Sequence, residues 1–170
     1  MTAGKVYNVL FICTHNSARS VMAEAIINAT SAGRFRGFSA GSHPAGAVHP
    51  LAIELLQRNH YRTESLRSKD WAEFAQPGAP VMDFVFTVCD KAAGEVCPVW
   101  PGQPISAHWG VADPAEATGA HEERMRAFMD SFMVLQRRIS LFLCLPIDKL
   151  SRLALQHEVE QIGRETSTAA

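Results

Sequence analysis

Cys13-Thr14-His15-Asn16-Ser17-Ala18-Arg19-Ser20 follows the apolar run Val6 to Ile12 and leads into Val21-Met22-Ala23-Glu24-Ala25-Ile26-Ile27. The order is strand, short polar loop, helix, with a cysteine at the strand end and an arginine six positions later. Backbone amides of such a loop can turn inward as a concave nest for an anion. The helix start adds unpaired N–H groups and the positive end of its dipole. Arg19 adds a planar fork that matches a tetrahedral oxyanion. A thiol in such a setting falls from about 8.5 to roughly 3.5–7.5. Intrinsic nucleophilicity falls along with it, with a slope of ~0.4–0.5 in thiol exchange. That takes back most of the gain in thiolate, so the main benefit of the loop is to hold the oxyanion and stabilise transition-state charge. Cys13 therefore reads as a thiolate nucleophile facing an oxyanion. A lone cysteine after a strand is more often a core thiol, but the full order of residues here favours the nucleophile.

The chain has 170 residues, enough for one compact domain with a real core. Its formal charge of −1 gives no electrostatic reason for nucleic-acid or acidic-membrane binding. The start, Met1-Thr2-Ala3-Gly4-Lys5, is too short and polar for a signal peptide. The apolar stretch Ile139 to Ile147 is too short to span a bilayer. A cytoplasmic protein is expected. The four cysteines, Cys13, Cys89, Cys97 and Cys144, form no Cys-x-x-Cys zinc pattern, and reactive or buried thiols are the better reading.

Residues 5–12 read as a strand apolar on both faces, as in a covered parallel sheet. Residues 19–31 read as a helix with Met22, Ala25, Ile26 and Ala29 on one face. Residues 36–41 form a weak second strand, and Pro50 opens a helix carrying Leu51, Leu55 and Leu56. A short helix is expected near Asp70 to Phe74. Residues 83–88 and 105–109 are the third and fourth strands. A long helix over roughly 120–144 repeats Met125, Phe128, Met129, Phe132, Leu135, Ile139, Phe142 and Leu143 every three or four residues; Cys144 closes it and is read as core. Leu150, Leu153 and Val159 suggest a last short helix. Strands alternating with helices predict an α/β domain over residues 1–145, with a helical extension over 146–170 that packs on it or trails from it. In such sheets, sites gather beyond the carboxyl ends of the strands. Cys13, Cys89 and Asp113 follow three of those strands and so share one sheet edge.

Cys89 and Cys97 stand eight positions apart, with small residues and Gly94 between them. A disulfide requires Cα atoms roughly 4.4–6.8 Å apart, which a flexible loop can supply. Equally, Cys89 can be a core thiol and Cys97 a bystander. Asp113-Pro114 reads either as a solvated turn or as an acid that protonates an oxygen leaving the oxyanion. Asn16 and Ser20 either hold the loop and donate to the thiolate or act as plain caps. His15 lines the mouth or faces solvent. His43, His49, His60, His121 and His157 are expected at the surface or in turns, and His108 and Trp109 as a wall or as core.

Residues 9–24 resemble the oxyanion loop of low-molecular-weight tyrosine phosphatases and of the arsenate reductases that share their fold. Ser39-Ala40-Gly41, Ser68-Lys69-Asp70-Trp71, Thr87-Val88-Cys89 with Cys97-Pro98, and His108 to Pro114 resemble the arsenate reductase branch. The resemblance implies a four-stranded parallel sheet flanked by helices and an oxidoreductase of arsenical resistance. It implies that arsenate sits in residues 14–19 (Thr14, His15, Asn16, Ser17, Ala18, Arg19), with Ser20 beside the nucleophile. Cys13 attacks, Asp113 protonates the departing oxygen, Cys89 and then Cys97 carry the oxidation away as a redox-active disulfide, and an external thiol reductant resets the enzyme. Some relatives bind potassium near the loop, and Asn16, Glu24, Ser39 and Asp70 match that set; no other metal or tightly bound cofactor is implied. Ala18 stands where many relatives carry cysteine, and His15 where glycine is common. The Cys89–Cys97 gap is one residue longer than in some thioredoxin-coupled relatives, which leaves the reductant open between thioredoxin and glutathione with glutaredoxin. The alternative is a phosphatase hydrolysing phosphomonoesters through a phosphocysteine. Such enzymes usually carry aromatic residues after the Asp-Pro, where this chain has Ala115-Glu116.

Overall fold

The computed structural model describes residues 4–90, 94, 98 and 100–165. Strand β1 (Tyr7–Cys13) leads through helix α1 (Arg19–Thr30) to strand β2 (Phe35–Gly41) and helix α2 (Pro50–Arg58). A 3-10 turn (Trp71–Ala75) precedes strands β3 (Phe84–Thr87) and β4 (Ile105–His108). A second 3-10 turn (Pro114–Glu116), helix α3 (His121–Leu143), a third 3-10 turn (Ile147–Lys149) and helix α4 (Arg152–Arg164) complete the order. The strands form one parallel sheet in the order β2-β1-β3-β4, the four-stranded sheet expected from the sequence. Strand order reverses at β1, so the crevice beyond the ends of β1 and β3 is a switch point where ligands bind. Among the described residues no helix is long and apolar enough to cross a membrane.

Val9, Leu10, Phe11 and Ile12 are all fully buried, as a central strand covered on both faces requires. α1 differs from its predicted single apolar face. Ser20 to Ile27 are all buried, because β1 and β2 flank the helix on one side and α2 and α3 on others. Asn28, Ala29 and Thr30 are exposed, so Ala29 is not a core residue. In α3 the stripe Met125, Phe128, Phe132, Leu135, Ile139 and Phe142 is buried, with Met129 and Leu143 half-buried at its edges. Cys144 is exposed, against the core reading. Phe142 takes the last core position, and two further residues turn about 200° away from it.

Trp109 is fully buried, its ring stacked on Phe86 with centroids 3.9 Å apart and planes at 8°. Its Nε1 donates to Val159 O at 3.0 Å, which ties the end of β4 to α4. α4 lies so close to that end that a Cβ at Gly163 would collide with His108 O, hence the glycine. Leu155, Val159 and Ile162 form the buried face of α4, whereas Leu153, expected to be apolar packing, is 81% exposed.

Candidate active site

Cys13 ends β1, and the carbonyls of the loop after it are turned outward. Ser42 N donates to Cys13 O (3.3 Å), His43 N to Thr14 O (2.8 Å), Ala45 N to His15 O (2.9 Å) and His49 N to Ser17 O (2.8 Å). A strap of residues 42–49 thus takes up the carbonyls, and the loop amides are left to face inward. Gly41 permits this fit, since a Cβ there would lie 2.5 Å from Thr14 O. The turn is made at Asn16, whose φ of 47° lies in the left-handed region that asparagine tolerates.

The Cys13 thiol is buried among donors. Asn16 N donates to Sγ at 3.2 Å, and Ser20 Oγ lies 2.9 Å from it. The direction of the second contact follows from its neighbours. Lys69 N donates to Asn16 Oδ1 (2.9 Å), which turns Asn16 Nδ2 toward Ser20 Oγ (2.7 Å). Ser20 Oγ therefore accepts from Asn16 and spends its own hydrogen on the sulfur. Two donors are thus directed at one sulfur.

Arg19 opens α1, where Ala18 supplies no side-chain cap and leaves the helix-start amides available. Its Nη1 donates to Val111 O at 3.1 Å and its Nη2 lies 3.4 Å from Asp113 Oδ2. Asp113 also caps the turn after it, accepting from Ala115 N at 3.0 Å through Oδ1. Three consecutive carbonyls before Asp113 are gripped by side chains. Arg138 Nη1 donates to Gly110 O (2.7 Å), Arg19 to Val111 O, and Ser131 Oγ to Ala112 O (3.0 Å).

Cys89 lies two residues past β3 and is buried, with Sγ 3.4 Å from Thr14 Oγ1. The fold thus brings Cys13, Arg19, Asp113 and Cys89 to one sheet edge. Cys97 lies outside the described residues. Asp90, beside Cys89, is held by His108, whose Nε2 lies 2.7 Å from Asp90 Oδ1 and whose Nδ1 lies 2.9 Å from Thr87 Oγ1. His15 is exposed at the mouth, with its backbone carbonyl also accepting from Ser68 Oγ at 3.1 Å. His43, His60, His121 and His157 are exposed.

His49 does more than mark a turn. Its Nδ1 accepts from Leu51 N (3.1 Å), capping α2, and its ring packs on Phe128 with centroids 4.8 Å apart. Burial pushes its pKa below the usual histidine value; Arg124 adds to that and Asp113 opposes it.

Three further residues escaped sequence reading. Lys69 is buried against Glu24 and Ser39. Ser131 and Arg138 occupy the apolar stripe of α3, and polar residues at those core-facing positions were the available signal. Of the potassium set, Asn16 lies in the loop, Glu24 accepts from Ser39 Oγ at 2.7 Å, and Asp70 pairs with Gly41 at the end of β2.

The sequence profile described as "Low molecular weight phosphotyrosine protein phosphatase" matches residues 8–152. An arsenate reductase of Shouchella clausii is 34% identical over 124 residues, covering 71% of this chain and 83% of that one. A solved structure described as an arsenate reductase in the phosphate binding state superposes with a TM-score of 0.67 over 81% of this chain and 97% of the other, at 24% identity. A thioredoxin-dependent arsenate reductase of Corynebacterium glutamicum superposes with a TM-score of 0.54 at 27% identity, over 83% of this chain and 65% of its own.

Proposed function

The chain belongs to the low molecular weight phosphotyrosine protein phosphatase family and stands among its arsenate reductases, and we propose that it reduces arsenate to arsenite through a cysteine relay. The observation that carries this reading is the buried Cys89 thiol, 3.4 Å from Thr14 Oγ1 in the wall of the oxyanion loop. Hydrolysis of a phosphocysteine by water needs no second thiol there.

The loop amides and Arg19 hold the arsenate oxygens. The Cys13 thiolate attacks arsenic, and one arsenate oxygen departs as water with a proton from Asp113. Cys89, as thiolate, attacks Cys13 Sγ. The S–S bond forms, the S–As bond breaks, and its electron pair stays on arsenic, which leaves as arsenite. Cys97 then attacks Cys89, freeing Cys13 and leaving a Cys89–Cys97 disulfide. The role of Cys97 rests on sequence alone. An external dithiol reduces the final disulfide; thioredoxin is the first choice, given the relative from Corynebacterium glutamicum, with glutathione and glutaredoxin as the second.

The test is arsenite formation with each reductant, measured beside hydrolysis of an aryl phosphate. Arsenite is expected with at least one of the two. Rapid phosphate release with no arsenite from either would overturn the reading. In the relay, Cys97→Ser is expected to stop after about one turnover with a Cys13–Cys89 disulfide trapped, visible by peptide mapping. Sustained thioredoxin-driven turnover by that variant removes Cys97 as the final thiol.

A further inference from the structure

We propose that the ammonium of Lys69 is the oxyanion loop's own monovalent cation, in the seat where the family resemblance would put potassium, so that this chain takes no alkali metal there. The proposal rests on reading residues 13–20 as an oxyanion seat and not on the arsenic chemistry.

The potassium set does not fit a metal here. Lys69 is buried, and its Nζ lies 3.0 Å from Arg67 O, 3.3 Å from Ser39 Oγ and 3.5 Å from Glu24 Oε1. An ammonium has three protons to donate and no lone pair, and it meets three oxygens. Ser39 Oγ gives its own hydrogen to Glu24 Oε1 at 2.7 Å, so its lone pairs remain for the ammonium. Asn16 Oδ1 is taken by Lys69 N, and Asp70 Oδ1 caps the following turn by accepting from Ala72 N at 2.8 Å. A second cation among these groups would have to share Glu24, the carboxylate that the ammonium already contacts, and would be repelled by that ammonium. Burial already pushes the Lys69 pKa below the ordinary lysine range, with Glu24 pulling it up.

This cation also has a path to the nucleophile. The side chain of Lys69 is anchored in the Glu24–Ser39 seat, and its carbonyl accepts from Gly41 N at 2.9 Å, at the end of β2. Its amide is thereby fixed toward Asn16, which orients Ser20, which donates to Cys13 Sγ. Lys69 is a positioning residue that works through Asn16.

The experiment melts the whole chain in potassium chloride and in choline chloride at equal ionic strength, and measures inorganic phosphate binding by calorimetry in both. Wild type is expected to give the same melting temperature and phosphate affinity in the two salts. Lys69→Met fills the seat without the charge and is expected to weaken phosphate by about two- to tenfold in either salt, the equivalent of one net hydrogen bond. Lys69→Arg should recover most of that loss. Lys69→Ala opens the seat, and its melting temperature should rise in potassium but not in choline. A wild-type gain specific to potassium overturns the proposal, as does a Lys69→Met protein that binds phosphate like wild type, or a folded Lys69→Ala indifferent to potassium. If the Lys69 variants fail to fold, the wild-type comparison alone decides. Neither readout requires arsenate turnover, so a failed reductase assay leaves this test standing.

Discussion

Cys13 and Asp113 share one sheet edge, yet the fold holds them by different means. The thiol's own partners, Asn16 N and Ser20 Oγ, come from within seven residues of it, in the first turn of α1 and the loop before it, whose carbonyls are strapped from outside. The Asp113 carboxylate has one local contact, the cap to Ala115 N. The span before it is held from afar, by Ser131 and Arg138 on α3 and by Arg19, which is 92 residues from Val111 in the chain. A nucleophile held by its own loop keeps its geometry as long as that loop is intact. An acid held by a distant helix depends on how that helix packs. The two should therefore fail separately, and variants can show it.

The largest expected effect is at the acid itself. Asp113→Asn should slow the chemical step by ~10²–10⁴ while phosphate binding changes far less, because the carboxylate reaches the cradle only through Arg19. If binding falls as far as the rate, the two regions are not separable and the acid assignment fails.

Next comes Arg138→Met. The substitution frees the Gly110 carbonyl but also removes a buried Nε that has no hydrogen-bond partner. The lost bond to a charged donor, worth about 1.5–3 kcal/mol, and the relieved orphan, about 1–3 kcal/mol, roughly cancel. Melting should change little, while a shifted acid costs about 10- to 10²-fold in turnover. A variant that loses stability and keeps its rate would make Arg138 a packing residue only. Ser131→Ala is the milder case: about 1 kcal/mol and a few-fold in rate, measured by urea unfolding and steady-state kinetics.

The same contrast explains what could be read from the chain beforehand. The cradle was readable because Cys13, Arg19, the strand before them and the helix after them are contiguous. The sheet edge followed, since Cys89 and Asp113 each trail a strand. The grip on Asp113 was not readable, because Ser131 and Arg138 meet Gly110 to Ala112 only after α3 has packed. Lys69 was hidden for the same reason: Glu24, Ser39 and Arg67 reach it from three separate elements or turns. Periodicity placed Phe142 correctly but not Cys144 or Leu153, because an apolar residue at a helix end is buried only if a neighbour extends far enough to cover it.

The smallest expected effect falls where the two regions meet. His49 N donates to Ser17 O in the cradle, and its ring lies on Phe128 of α3, the helix that also carries Ser131. Its Nδ1 accepts from Leu51 N, so the neutral ring keeps its hydrogen on Nε2, and a proton on Nδ1 would break the cap. The pKa is lowered by burial first and by Arg124 second. For a group whose folded value is depressed, the unfolded chain takes up the proton first. The stabilisation is thus complete above the unfolded value of about 6.5 and is lost as pH falls through the lower folded one. His49→Asn keeps a capping side chain without a titrating group. Urea midpoints should therefore fall less between pH 7.5 and pH 5 for the variant than for wild type; equal falls would mean that the ring titrates as it does in the unfolded chain. If phosphate affinity and turnover weaken together over the same pH interval in wild type but not in His49→Asn, this one ring couples a cradle and an acid that the other variants disturb one at a time.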